Sequence, residues 1–375
     1  LVGVIDQNTQ RTGDTVAAFV EREALDWLRE LFGLSGAHTG SFVSGATMAN
    51  LVGLAIGRQW LGHRYGVDVA RQGLTGMPPI RVLSATAHSS TLKAMAMLGL
   101  GRDAHVQVAT AGGEGAREAV DLAALERALA AHQGQPVIVV GNAGTVNTVD
   151  FDDLRGIAAL RERHPFWFHV DAAFGAFAAC SPRFAALAEG LDAADSVTVD
   201  AHKWLNVPYD SAMQYTRHLG LQLEVFQNVS AYLPPPEVAP ENFTHLTPEN
   251  SRRFRALAVW AALRAYGRAG HREIVERCCE CAAALGARLV AHPDFELVAP
   301  VRMNVVCFAT RPGLDSRALL QRVQQDGRAF LTPTVMGGRP AMRAAFSNWR
   351  TTAADVEVIF AALADAAADV AAGRR

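Results

Sequence analysis

Between residues 80 and 215 the chain alternates short apolar runs with helical patterns, and no other feature narrows the fold as much. The runs IRVLS (80–84), HVQVA (105–109), PVIVVG (136–141), FWFHV (166–170), SVTVD (196–200) and SAMQY (211–215) have strand length, with helical segments between most of them. Parallel strands need crossover connections, so this order implies an α/β architecture: a mostly parallel sheet covered on both faces. Upstream, Val16, Val20, Ala24, Trp27, Leu28 and Leu31 recur at helical spacing over residues 14–32, and Gly33 stops the pattern. The stretch SFVSGATMAN then reads as a turn that feeds a second helix running to Trp60.

The texture changes at the proline-rich segment 233–248, which cannot continue a helix or a central strand and reads as a long surface loop. Loops of that length are often functional. Helices are expected over 249–267 and 271–291, strands at 296–300, 304–310, 328–332 and 342–347, a helix at 316–326 and a final alanine-rich helix. This mixture reads as a smaller C-terminal α+β domain. The expected division is an N-terminal segment and helix at 1–32, a large domain at 33–270 and a small domain at 271–375.

Composition excludes several classes. Charged residues make up 19% and apolar ones 50%, against about 25% and about 45–50% in typical domains. That balance argues against disorder and suggests surface covered by other protein. With 35 basic and 37 acidic residues the net charge is −2, so neither nucleic acid nor an anionic membrane is an expected partner. No run approaches the ~18 apolar residues of a membrane helix. The five cysteines (Cys180, Cys278, Cys279, Cys281, Cys307) are odd in number and clustered, which fits a reducing cytoplasm better than a disulfide framework. Cys278 and Cys281 form a C-x-x-C, but it lies in a helical pattern without a second pair, so core packing is expected and no metal site.

The chemistry-bearing residues sit at strand ends and helix starts. Lys203 follows SVTVD inside an apolar stretch. Burying an ammonium is costly, and burial lowers a lysine pKa, as an amine nucleophile requires. A lysine reaching out from a loop would look the same. Asp171 follows FWFHV and would point into the crevice where α/β sheets bind ligands. Schiff-base chemistry with pyridoxal 5'-phosphate (PLP) needs such a carboxylate to keep the pyridine nitrogen protonated. Ser44-Gly45-Ala46-Thr47 opens a helix, where backbone N–H groups and a hydroxyl can receive an anion. His88 follows another strand and could stack on a cofactor ring. Singly, each has a bland structural reading; together they fall in a sensible order on one sheet.

With these residues in place, the chain resembles the group II PLP-dependent decarboxylases, the family of aromatic-L-amino-acid, histidine and glutamate decarboxylases. The matching stretches are FVSGATMANL, AHSSTLKAMAMLGLG, NAGTVNTVDFDDL, HVDAAFGAFAACSP, ADSVTVDAHKWLNVPYDSA and SRRFRALAVWAALRAYG, over residues 15–270. The resemblance implies fold type I, a large domain with a seven-stranded-type, mostly parallel sheet, and a homodimer with shared active sites. It makes Lys203 the Schiff-base lysine, Asp171 the partner of the pyridine nitrogen and His88 the ring-stacking residue, with Ala173 on the other face. Ala46 and Thr47, helped by His202, would hold the phosphate; Thr145 or Asn147 would lie near the cofactor. Tyr209 and the segment around Gln7, Asn8 and Thr9 would line the substrate pocket.

Two departures from the family bear on the product. The family carries a longer N-terminal segment that wraps the partner, so this chain, opening at Leu1, is either a piece of a longer one or a compact subfamily. The family's mobile loop supplies a tyrosine that protonates the substrate carbon after CO2 leaves. Counting back from Arg252-Arg253, Phe243 matches that position and His245 is the nearest proton donor. Relatives with phenylalanine there tend toward oxygen chemistry and an aldehyde product. The expected activity is therefore decarboxylation of an L-amino acid, aromatic first and acidic behind. The alternative is decarboxylation-dependent oxidative deamination. A non-catalytic PLP-fold binding protein is a third reading, disfavoured because Lys203, Asp171 and His88 are all retained. A nucleotide-binding dehydrogenase is weaker still, since Gly99-Leu100-Gly101 and Gly141-Asn142-Ala143-Gly144 do not complete G-x-G-x-x-G.

Overall fold

The structure, a computed structural model, describes residues 15–112, 117–228 and 243–373. Its strands are β1 (Thr39–Val43), β2 (Arg81–Ser84), β3 (His105–Gln107), β4 (Val137–Asn142), β5 (Trp167–Asp171), β6 (Ser196–Asp200) and β7 (Ala212–Thr216), then β8 (Phe295–Leu297), β9 (Val305–Thr310), β10 (Thr332–Met336) and β11 (Arg339–Ala345). Its helices are α1 (Ala17–Leu31), α2 (Ala46–Arg64), α3 (Val69–Gln72), α4 (Ser89–Met97), α5 (Leu122–Ala131), α6 (Leu154–Ala159), α7 (Ala201–Trp204), α8 (Leu219–Phe226), α9 (Ala256–Ala291), α10 (Ser316–Asp326) and α11 (Ala353–Ala371).

The first seven strands form one sheet in the order β1-β7-β6-β5-β4-β2-β3. The pairs β2/β3, β2/β4, β4/β5 and β5/β6 are parallel, and β7 pairs antiparallel with both β6 and β1. The mostly parallel seven-stranded sheet is therefore as expected. The chain leaves β2 for the edge at β3 and returns beside β2 as β4, and such a reversal opens a crevice at the strand carboxyl ends. The last four strands form a smaller antiparallel sheet, β10-β11-β9-β8.

Several local expectations need correction. Residues 41–43, read as part of a turn, belong to β1 (Thr39–Val43); its backbone pairs with the distant β7, which no local pattern discloses. Of the two helices expected after the proline-rich segment, the first starts at Ala256, not at 249; the two follow end to end as α9 and part at Gly267, whose φ of +59° and ψ of −173° are not helical. A strand begins at Thr332, not at 328. In α1 the buried face runs through Ala17, Ala18, Glu21, Ala24, Leu25, Leu28 and Leu31, so Val16 is exposed. The cysteines are unpaired and buried, and burial pushes the Cys180 and Cys278 thiols up to about 12. They pack the core.

Helix α2 is apolar on nearly every side, as befits a helix buried against a sheet. Gly53 and Gly57, one turn apart, face β5. A Cβ on Gly53 would lie 2.7 Å from the His169 ring, and one on Gly57 would lie 2.6 Å from the Trp167 ring. The two glycines thus set how closely α2 approaches the strand that carries Asp171. Alanine at Gly57 would gain about 1 kcal/mol of helix propensity but force apart a fully buried indole at a cost of about 1–3 kcal/mol. The two ranges leave a net loss of up to about 2 kcal/mol on Gly57→Ala, and a Cβ 2.6 Å from a fully buried ring places the expected loss toward the upper end. Denaturant titration checks this; an unchanged or raised midpoint would show that α2 has room to shift.

Candidate active site

The carboxyl ends of the parallel strands open on a cavity of about 390 Å³, within the range of about 300–1,000 Å³ usual for small-molecule sites. Ala46, Thr47, His88, Thr145, Asp171, Ala173, His202 and Lys203 all line it. Five separate stretches of chain, more than 150 residues apart at the extremes, therefore meet at one cavity.

Asp171 ends β5 and is 8% exposed. Its Oδ1 accepts the Ala173 N–H at 3.2 Å and its Oδ2 accepts Asn50 Nδ2–H at 2.9 Å. Behind it Asn50 Oδ1 is 2.9 Å from His169 Nε2, and His169 Nδ1 is 2.7 Å from Ser196 Oγ. The sequence pointed to neither Asn50 nor His169. Both lie inside apolar patterns, and only the packing of α2 on β5 brings them to Asp171.

Lys203 sits in the short helix α7. Its Nζ is 3.0 Å from Asp200 Oδ2 and 5.0 Å from the centre of the Phe174 ring. The side chain is 32% exposed. The lysine is thus paired at the mouth of the cavity instead of being stripped of water, which corrects the expectation of a buried amine. Asp200 also takes the Ala46 N–H at 2.8 Å, so one carboxylate ties the start of α2 to the lysine. His202 donates Nδ1–H to the Ser211 carbonyl at 2.8 Å. His88 caps α4, its Nδ1 lying 2.6 Å from Ser90 Oγ.

Other expected residues are placed differently. Thr145 borders the cavity, but its hydroxyl is held by Glu118 at 2.6 Å. Asn147 does not line it; its amide donates to Glu118 and accepts from Thr334. Tyr209 is 79% exposed, its ring tilted 37° against that of His202 with 4.3 Å between ring centres. Phe243 and His245 are not brought to the cavity. Phe243 is buried between the guanidinium groups of Arg22 and Arg252, and His245 accepts the Asn228 N–H at 3.0 Å. Gln7, Asn8 and Thr9 lie outside the described residues. Among the lining residues that the sequence did not single out is Arg343, on β11. Its Nε has no hydrogen-bond partner, and burial pushes the guanidinium below its ordinary value. A cation so placed is suited to an anionic group entering the cavity.

The residues present fit PLP. The start of the 19-residue helix α2 can receive a phosphate, an amine stands at the mouth, and a carboxylate with spare acceptor capacity stands at a strand end.

The buried His169 supplies a pH test. Burial pushes its imidazole down to about 4, against the opposing pull of Asp171. A folded-state value below the unfolded one means the fold excludes a proton. The associated stability is fully present above about pH 6.5 and is lost as pH falls toward about 4, up to about 3 kcal/mol. His169→Asn should flatten the fall in unfolding free energy over that window by about one proton. An unchanged slope in pH-dependent urea unfolding would remove His169 as its source.

The description "Pyridoxal-dependent decarboxylase conserved domain" belongs to a family model that matches residues 10–311. An aromatic-L-amino-acid decarboxylase of Bacillus atrophaeus is 29% identical, over 89% of this chain and 70% of that protein. A 3,4-dihydroxyphenylacetaldehyde synthase of Drosophila melanogaster is 31% identical, over 59% of this chain and 44% of that one. Among solved structures, Oryza sativa TDC with PLP superposes with a TM-score of 0.81 at 25% identity, covering 94% of this chain and 76% of that chain. The chain thus spans about half to three quarters of the length of these relatives.

Proposed function

The chain belongs to the pyridoxal-dependent decarboxylase family, and we propose that it removes the α-carboxylate of an L-amino acid, an aromatic one first, using PLP. The observation that carries this reading is the meeting of Lys203, Asp171, His88 and the start of α2 on one cavity. When bound, PLP supplies an electron sink for the bond that breaks. The protein's part is to hold and orient. Lys203 is the amine that would hold the cofactor, and Asp171 would keep a proton at the pyridine nitrogen. At the start of α2, the Thr47 N–H and hydroxyl would receive the phosphate, beside the Ala46 N–H that Asp200 holds. Arg343, cationic and short of partners, would meet a substrate carboxylate.

Homodimerisation is part of the proposal. Phe19 and Val335 are 58% and 62% exposed, and Tyr209 more so, an amount of bare apolar surface that a second copy would cover. We also propose a cytoplasmic setting, supported by the five unpaired cysteines. Among the described residues no helix is long and apolar enough to cross a membrane.

Borohydride reduction of the PLP-loaded protein followed by peptide mapping should leave the pyridoxyl group on Lys203. A label on Lys93 instead would overturn the assignment.

The second reading, oxidative deamination to an aldehyde, is favoured by one observation: an aldehyde synthase stands among the relatives. The buried position of Phe243 argues that the residue does not by itself set the product within its own chain. Aromatic L-amino acids incubated with the PLP-loaded protein in air should give CO2 and amine without oxygen uptake. Aldehyde with peroxide would transfer the conclusion to the second reading. A shift of those products toward amine in Phe243→Tyr would then return a product-setting role to Phe243.

A further inference from the structure

A single chain of hydrogen bonds runs from a tryptophan in the core to two groups at the cavity, and its direction is fixed at both ends. Trp167 Nε1–H can only donate, and it lies 3.1 Å from Ser196 Oγ. The Ser196 hydroxyl proton is then free for His169 Nδ1, 2.7 Å away. A neutral His169 accepting at Nδ1 carries its proton on Nε2, and that N–H meets Asn50 Oδ1 at 2.9 Å. The Asn50 amide therefore turns its NH2 the other way. The far end requires the same orientation, because a carboxylate offers only acceptors and Asp171 Oδ2 lies 2.9 Å from Asn50 Nδ2.

The second Nδ2–H of Asn50 points to Ser90 Oγ at 3.0 Å. With that lone pair used, the Ser90 hydroxyl donates to His88 Nδ1 at 2.6 Å, and the Ser90 N–H also approaches the same nitrogen at 3.2 Å. His88 Nδ1 is thereby an acceptor, and the ring keeps its proton on Nε2. We infer that Asn50 is a positioning residue whose one amide sets the acceptor state of Asp171 and turns the Ser90 hydroxyl into a donor, which together with the Ser90 N–H holds His88 in its Nε2–H tautomer. Two groups, one at the end of β5 and one at the start of α4, are kept in matched proton states by a residue that does not itself line the cavity.

The meaning of this link for catalysis rests on the PLP reading above, but its proton arrangement does not, so the two can fail separately. The test uses the full chain, first without cofactor, with 15N-labelled histidine followed by NMR; His88→Gln and His169→Gln spectra assign the two rings. The wild type should show both as neutral Nε2–H tautomers, His169 staying neutral down to about pH 5. Asn50→Asp replaces the donor with an acceptor. Ser90 must then donate to the new carboxylate, and His88 Nδ1, left with the Ser90 N–H alone, should shift toward the Nδ1–H tautomer. PLP affinity, read by titration of the apoprotein, should weaken about tenfold or more, because a charge-assisted donor to Asp171 is lost and a like charge added. If Asn50→Asp does not fold, Asn50→Ala carries the test, with the His88 signals dividing between both tautomers. An unchanged His88 tautomer in the folded variant would overturn the proposal, as would a PLP affinity within about twofold of wild type. A wild type that binds no PLP while the tautomer switch still appears would sink the functional reading and leave the Asn50 link standing.

Discussion

Asp171 is almost fully buried at the end of β5, and a carboxylate taken out of water is destabilising by several kcal/mol unless donors meet it. Much of the large sheet's geometry follows from meeting that demand. One donor, the Ala173 N–H, comes from the chain's own turn after the strand. The other, Asn50, comes from α2, and reaches Asp171 because Gly53 and Gly57 let the helix settle against β5. His169, two residues before Asp171 and on the same face of the strand, then packs under α2 as the acceptor chain's next member. Helix packing and site electrostatics are one problem here.

The same economy appears at Asp200. Its two oxygens hold the Ala46 N–H and the Lys203 ammonium, so the end of β6 organises both the anion-receiving helix start and the amine. The pairing keeps Lys203 oriented while leaving it in contact with solvent. A similar device stands at the other wall. Glu118 gathers the hydroxyls of Thr145 and Thr148 and the Asn147 amide, stiffening the loop after β4 that borders the cavity. The cavity is thus surrounded by carboxylates already engaged with the protein's own donors, and Arg343 enters it from the small sheet as a cation with donors to spare.

Where the sequence reading went astray, the cause was contact at long range. β1 was missed because its five residues become a strand only by pairing with β7, 169 to 177 positions away. Asn147 was assigned to the cavity from its motif, yet a single turn of chain and the Glu118 carboxylate direct it elsewhere. Tyr209, five residues past the end of α7, swings outward onto His202. Phe243 was placed by counting from Arg252-Arg253, and Arg252 itself helps bury it: the guanidinium covers the ring and pairs with the buried Glu21 of α1. Counting along a chain preserves order but carries no information on which way a side chain faces.

What the sequence determined by itself was the sheet, its parallel character and the identity of the groups at the strand ends. Those follow from short-range rules: strand length, helix period, and the fact that residues ending parallel strands share one edge. Lys203, Asp171, His88 and the start of α2 were legible for that reason, and the family's motifs sharpened them. What only the tertiary structure decided was how those groups are held. The Asn50–His169–Ser196 chain, the pairing of Lys203 with Asp200 and the arrival of Arg343 from the small sheet each join residues far apart in sequence. Hydrogen bonds act over about 3 Å and demand direction as well as distance, and directions of that kind exist only once helices and strands have packed.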